Sequence, residues 1–270
     1  MTDRPRLRPG APLLRRDPTH LQVGTSPGIV IPDRPGLLPF LRLLDGIRDV
    51  ERLEAIVAER IPELVGSVRS VVAELIGVGA LSGASSSTVN NTFEVAIRPD
   101  ADGAGLAAVT RSILNSSGLT RLDATEPDLL VLVSCGEPSR TVFEQASLWG
   151  LTHLPVVIDE DQVRIGPLVR PGLTPCVGCH DLHRADWDHA WPAIVHQLGR
   201  PGAVVDASGL AATTAHAAAV EVAAEVLEHA AGRRARTVGR CLMVGPRHDG
   251  RAVRPIPFHP RCACDLLKAA

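Results

Sequence analysis

The chain has no tyrosine, and only four phenylalanines and three tryptophans are spread over its 270 residues. Platforms that stack the bases of single-stranded nucleic acid are built from aromatic rings, and so few rings build none. A strong charge of either sign is also missing, because 28 basic side chains face 30 acidic ones and leave a formal net charge of -2. Proteins that hold DNA by neutralising phosphates carry a basic face, so that class is excluded. Lysine is almost absent: Lys268 stands alone among the arginines. No run of ~18 apolar residues occurs, and no apolar segment follows the basic N-terminal stretch MTDRPRLRPGAPLLRRD, so neither a membrane span nor a secretory signal is predicted. A soluble, cytoplasmic protein with no nucleic-acid or membrane partner is expected.

What is present is length enough for two units at ~150 residues per domain. The polar stretch GASSSTVNNT, 83 to 92, marks the boundary. A first domain is therefore predicted over 1–84, a linker over 85–92 and a second domain over 93–270.

In the first domain, Leu21 to Val23 and Ile29 to Ile31 are short β-type runs around the turn GTSPG. Leu37, Leu38, Phe40, Leu41 and Leu44 then recur at helical spacing up to Asp45-Gly46. Asp49 can cap a second helix with Val50, Leu53, Ile56 and Val57 on one face. Pro62 opens a third, running through Leu64, Val65, Val68, Val71, Val72 and Leu75 to Ile76. A hairpin with three helices predicts a winged-helix-like unit. Its would-be recognition helix, between Glu63 and Val78, has one arginine, Arg69, against two glutamates, which does not suit a major groove. An extended peptide added to the hairpin edge and packed on the third helix fits better, with Val23, Ile29, Val68 and Val72 as candidate contacts. A purely structural or dimerising cap is the competing reading.

In the second domain strands and helices alternate. Strands are predicted at Phe93 to Ile97, Leu119 to Leu122, Leu129 to Val133 and Leu154 to Ile158, and helices at 106–114 and from Arg140 to Trp149. An alanine-rich helix from Gly209 to Ala231, suited to the core or to a homodimer interface, and two late strands between Thr237 and Phe258 complete an α/β domain with a mostly parallel sheet. At the first strand-to-helix turn lies GAGLAA, 103 to 108, with Asp123 placed after the expected second strand. That order belongs to nucleotide-binding βαβ units, where glycines let the backbone approach a phosphate. Gly103, Gly105 and Asp123 are the cofactor-binding candidates; a plain glycine turn is the alternative, since Asp100 and Asp102 would repel a phosphate.

The six cysteines stand at 135, 176, 179, 241, 262 and 264. In a chain without a secretory signal, close pairs point to metal before disulfides. Cys176 and Cys179 have the two-residue spacing that lets both thiolates reach one tetrahedral zinc, and Cys262 with Cys264 supplies a second pair. A closed set of four thiolates is a structural site. The single-residue gap of the second pair leaves His259 or Cys241 open as a replacement ligand. His180 and His183, with Asp181, Asp186 and Asp188, offer either an open catalytic metal site or hydrogen bonding around the zinc with salt bridges to Arg184. Cys135, alone at a strand end, is expected as buried filler.

These residues, most specifically VRIGPLVRPGLTPCVGCHDLHRADWDHAWPAI at 163 to 194 and FHPRCAC at 258 to 264, resemble the ThiF-type, ubiquitin-activating-enzyme-like family in the form that serves azole formation on peptides. The resemblance implies a leader-peptide-binding partner of a cyclodehydratase: a winged-helix peptide-recognition domain, then a ThiF-like domain holding zinc through Cys176, Cys179, Cys262 and Cys264. It further implies that an ATP-using YcaO-type partner performs the chemistry. Active ThiF-type enzymes follow the second strand with an acidic pair, an Arg and a Lys. Here Asp123 is followed by Ala124-Thr125-Glu126-Pro127, no Arg or Lys occurs between Arg121 and Arg140, and Ser134-Cys135-Gly136 stands where a metal-binding Asp is usual. A triphosphate needs cations or magnesium-binding carboxylates to offset its charge. Nor does any cysteine between Cys179 and Cys241 offer itself for a thioester. The expected function is a non-catalytic scaffold that presents a precursor peptide to its partner; an adenylating enzyme that activates a carboxylate with ATP is the alternative.

Overall fold

The computed structural model describes residues 4–82, 92–200, 207, 209–247 and 251–264. The chain divides into two compact units, 1–88 and 89–270. Apart from Thr92, the expected linker at 85–92 lies outside the described residues.

The first unit is organised by the alternation in β3 (His20–Val23), whose Leu21 and Val23 are fully buried while His20 and Gln22 face outward in part. β3 pairs antiparallel with β4 (Ile29–Pro32), as the sequence predicts. It pairs on its other side with β2 (Leu13–Asp17), a strand without alternation that the sequence did not suggest. β4 is left as a sheet edge. A second, two-stranded ribbon joins β1 (Arg6–Leu7) to β5 (Leu81–Ser82). α1 (Leu37–Leu41) buries Leu37, Phe40 and Leu41. α2 (Val50–Arg60) starts where the Asp49 carboxylate accepts the Arg52 N–H at 2.8 Å, and it buries Val50, Leu53 and Val57. The third helix is shorter than expected. Pro62–Leu64 makes a single 3-10 turn, Gly66 then takes the left-handed φ of 77° open to a residue without Cβ, and α3 begins only afterwards (Val68–Gly77). Arg34, just after β4, pairs with Glu74 of α3, Nη2 to Oε2 at 2.7 Å.

The second unit is a six-stranded sheet with the order β11-β10-β9-β8-β7-β6. β6 (Val95–Pro99), β7 (Leu129–Cys135) and β8 (His153–Asp159) run parallel. β9 (Gln162–Ile165), β10 (Arg240–Val244) and β11 (Ala252–Pro255) continue antiparallel. Because β10 returns to the direction of the first three, four strands of the six point one way. β8 is buried along nearly its whole length, which explains its uninterrupted apolar sequence. α4 (Ala104–Ser116) packs on the sheet beside α8 (Ala212–Ala230), whose Ala218, Ala219 and Ala223 let the two helices come close. α5 (Arg140–Leu148), α6 (Val177–Ala185) and α7 (Trp191–Leu198) complete the unit.

One expected strand is absent. Leu119 to Leu122 is extended loop, and only Asp123 makes an isolated antiparallel bridge, to Ala96. Between Gly118 and Asp128 there is no room for a strand plus the crossover of about a dozen residues that a parallel neighbour requires, so β7 takes the place beside β6. No described helix is long and apolar enough to cross a membrane.

Candidate metal centre and the cleft at the sheet

Cys176 is the extended residue that caps α6 and Cys179 lies in its first turn, so one helix start presents both thiols. The chain following β11 brings the other two. Cys176 Sγ lies 3.6 Å from Cys262 Sγ, Cys179 Sγ 3.5 Å from Cys264 Sγ, and all four sulfurs fall within 4.8 Å of one another. Disulfide sulfurs would be ~2.05 Å apart, whereas sulfurs around one tetrahedral zinc at ~2.3 Å stand about 3.8 Å from each other. Gly178 leaves the centre its room: a Cβ there would sit 3.4 Å from Cys176 Sγ and 3.6 Å from Cys262 Sγ. The Cys179 thiol is brought down to about 4, first by the hydrogen bond from Cys176 and, against its burial, by the His259 N–H at 3.4 Å. Burial and its sulfur neighbours push Cys264 up to about 12. Four crowded thiols of this kind ionise together only around a cation, and the donor set fits a soft, tetrahedral one.

Neither replacement ligand enters the tetrad. Cys241 packs against it from β10, its thiol pushed up to about 11 by burial. His259 has both ring nitrogens engaged: Nε2 lies 2.8 Å from Asp186 Oδ2, and Nδ1 accepts the Arg261 N–H at 3.1 Å. His180 and His183 line one cavity but join no common metal-ligand cluster among the described residues. The His183 ring packs edge-on against His259, and its Nε2 meets the Pro257 carbonyl at 3.0 Å, whereas His180 is buried edge-on to Trp191. His183, Asp186 and His259 do bring donor atoms within 4.8 Å of one another, but all three already have partners. Asp188 accepts the Ala190 N–H at 3.1 Å, and Arg184 stacks over the Trp191 ring at 3.6 Å in place of the expected salt bridge.

A buried charge network beside the centre has no counterpart among the sequence-based expectations. Arg164 on β9 donates to both oxygens of Glu137 at 2.7 and 2.8 Å, with exposures of 6% and 7%. Arg140 reaches Glu137 at 3.0 Å and grips Asp181 of α6 at 2.7 and 2.8 Å, and Trp191 Nε1 donates to Asp181 at 3.0 Å. Burial alone would raise the Glu137 carboxyl; Arg164 and Arg140 outweigh it and hold it below its usual range. Asp181 is likewise held low, against its burial, by His180, Arg140 and Trp191. An arginine inside the β-type run VRI was the one signal available.

At the carboxyl ends of β6 and β7 opens a cleft of about 570 Å³ that includes Arg98, Asp100, Cys135, Ser139 and Arg200. The glycine turn does not present its N–H groups to a ligand. Asp100 Oδ1 accepts the Gly103 N–H at 2.7 Å and Oδ2 accepts the Cys135 N–H at 2.8 Å, placing the chain's own carboxylate where a phosphate would sit. A Cβ on Gly103 would meet the Val133 carbonyl at 2.9 Å, so that glycine serves close packing of α4 on β7; one on Gly105 would meet nothing. Asp123 is exposed and paired with Arg111 at 3.3 Å and Arg98 at 3.7 Å. These cations come from α4 and β6, outside the segment between Arg121 and Arg140. Cys135 is half-buried, which corrects the expectation of a buried filler.

The candidate peptide contacts are placed differently from expectation. Val23, Val68 and Val72 lie in the core of the first unit, and Ile29 is partly buried at its margin. Alternation turned Val30 of β4 outward, and it is exposed, as are Ile76 and Val78 at the end of α3.

No family model and no curated protein matches the chain by sequence. Among solved structures, the heterocyclase TruD matches with a TM-score of 0.71 and 16% identity, over 96% of this chain and 42% of that one. A heterocyclase in complex with substrate and cofactor matches at 0.68 and 17%, over 97% of this chain and 39% of that one. E. coli MccB matches at 0.52 and 12%, over 97% of this chain and 96% of that one. The chain thus spans about two fifths of the length of the heterocyclases it resembles. At these identities the likeness is one of fold.

Proposed function

We propose that the chain is the precursor-peptide-binding scaffold of an azoline-forming cyclodehydratase, delivering a leader peptide to a YcaO-type, ATP-using partner. The observation that carries this reading is the match of 96% of the chain to 42% of a heterocyclase, a fold shared with only part of that machine. In this reading residues 1–84 are a winged-helix-like recognition unit and residues 93–270 a ThiF-like unit. An extended leader segment pairs with the β4 edge and rests on the end of α3, where Ile76 and Val78 are exposed. Cys176, Cys179, Cys262 and Cys264 hold a structural zinc whose role is to tie α6 to the end of the chain. The Asp100 carboxylate at the start of α4 disfavours a nucleotide there. Fluorescence anisotropy with labelled leader peptides of azole-forming precursors tests the reading. Ile76→Asp with Val78→Asp should weaken binding at least tenfold while leaving the melting temperature within a few degrees; unchanged affinity rejects this binding surface.

A second reading, an adenylating enzyme acting on a carboxylate, is favoured by the cleft at β6 and β7 and by Arg98 and Arg111 around Asp123. ATP-pyrophosphate exchange with the same peptides separates the two. Exchange abolished by Asp123→Ala supports the enzyme, and no exchange supports the scaffold.

A further inference from the structure

A separate cavity of about 220 Å³ lies between α6 and strands β9, β10 and β11, and it shares no lining residue with the cleft at β6 and β7. Its size is below the ~300 Å³ at which drug-sized ligand pockets begin, so it suits a compact group and not a nucleotide. Arg164 and Cys241 line it, and the Arg164 guanidinium is already neutralised by Glu137. The His180 ring lines it as well, its buried Nδ1 3.4 Å from Asp181 Oδ1. Two further arginines reach the cavity. Arg184 is held with its guanidinium stacked on Trp191, and Arg254 extends from β11; among the described residues neither has a carboxylate partner. Three other arginines of this unit are paired with carboxylates, Arg233 with Glu228, Arg236 with Glu221 and Glu225, and Arg261 with Asp186.

We infer that this cavity binds a compact organic carboxylate. Counting arginines and carboxylates, Arg164 cancels Glu137, and Arg184 with Arg254 faces Asp159 alone, which leaves one positive charge. That excess matches a monocarboxylate better than a dianionic phosphate. Met243 and Ile256 add apolar wall beside the cations, which favours an acid with an alkyl portion over an inorganic ion. Guanidinium groups pair with carboxylates in a planar, two-pronged geometry that a single ammonium cannot offer.

Trp187 lines the same cavity and is largely exposed, so its fluorescence reports occupancy. The purified full chain is titrated with butyrate, butyramide, N-acetylglutamate amide and inorganic phosphate, with calorimetry as the second readout. Butyrate should bind saturably and butyramide at least tenfold more weakly. Arg254→Gln and Arg184→Gln should each weaken butyrate at least tenfold, and Arg60→Gln, in the first unit, should change nothing. Binding of N-acetylglutamate amide identifies the ligand as an acidic side chain carried on a peptide; its failure beside butyrate binding identifies a free acid. Equal binding of butyramide, binding of phosphate without butyrate, or unchanged affinity in a folded Arg254→Gln protein overturns the inference.

Discussion

A guanidinium buried as deeply as that of Arg164 is tolerated only because Glu137 meets it with two hydrogen bonds. Removing one partner of such a pair strands the other, and Arg164→Met should cost about 3–5 kcal/mol in urea unfolding. Arg164→Met with Glu137→Leu, which removes both charges, should recover part of that loss. The same network sets the acid limit of the fold. Glu137 and Asp181 hold their protons less tightly when folded than when unfolded, so their contribution is complete above the ordinary carboxylate range near ~4. It is lost as the pH falls through their lower folded values. Thermal midpoints should therefore fall below about pH 4, with Glu137→Gln showing a shallower fall from a lower start. His153, His180 and His229, which burial holds neutral, add a separate loss as the pH falls through about 6.5. The residues of this network were not legible in the sequence, because Glu137 and Arg164 are 27 positions apart and nothing local joins them. The cysteine tetrad was legible, since thiol pairs at knuckle spacing in a chain of this kind point to a shared metal ion.

Whether a turn binds a ligand or closes on itself is decided at the level of the element. The start of α4 closes on Asp100, whose carboxylate takes one N–H from the helix start and one from the end of β7. Asp100→Ala should cost ~1.5–3 kcal/mol, the range for hydrogen bonds to a charged group, and should speed amide exchange at Gly103 and Cys135 above all other sites. The GAGLAA spacing could not reveal this, because the pattern fixes backbone freedom and leaves open what fills the space. Strands with alternating or continuous apolar sequence, β3, β4, β7 and β8, were readable for the same reason that they are buried. β2 and β9 were not: LLRRD alternates nowhere, and QVRI carries the arginine that belongs to the charge network. The third helix of the first unit was overextended because its apolar spacing continues through Gly66, where the backbone turns left-handed.

At the scale of the whole molecule each of the two units has its own apolar core. All four paired cysteines belong to the second. Structural zinc in small peptides is bound with about 10–16 kcal/mol, so chelation should lower the melting temperature of the full chain. The accompanying rise in hydrogen exchange should be confined to residues 93–264, with 4–82 unchanged; exchange rising equally in both units would contradict a metal role local to the second.

The distance along the chain between the thiols has a further consequence. Cys176 and Cys262 are 86 positions apart, which at ~5–20 residues per second on the ribosome is a wait of about 4–17 s. During that interval the first pair has been synthesised and the second has not. A metal ion held by all four thiolates, as proposed, would therefore be captured in that form only late in biosynthesis, and before then the tetrad would offer it two thiols at most.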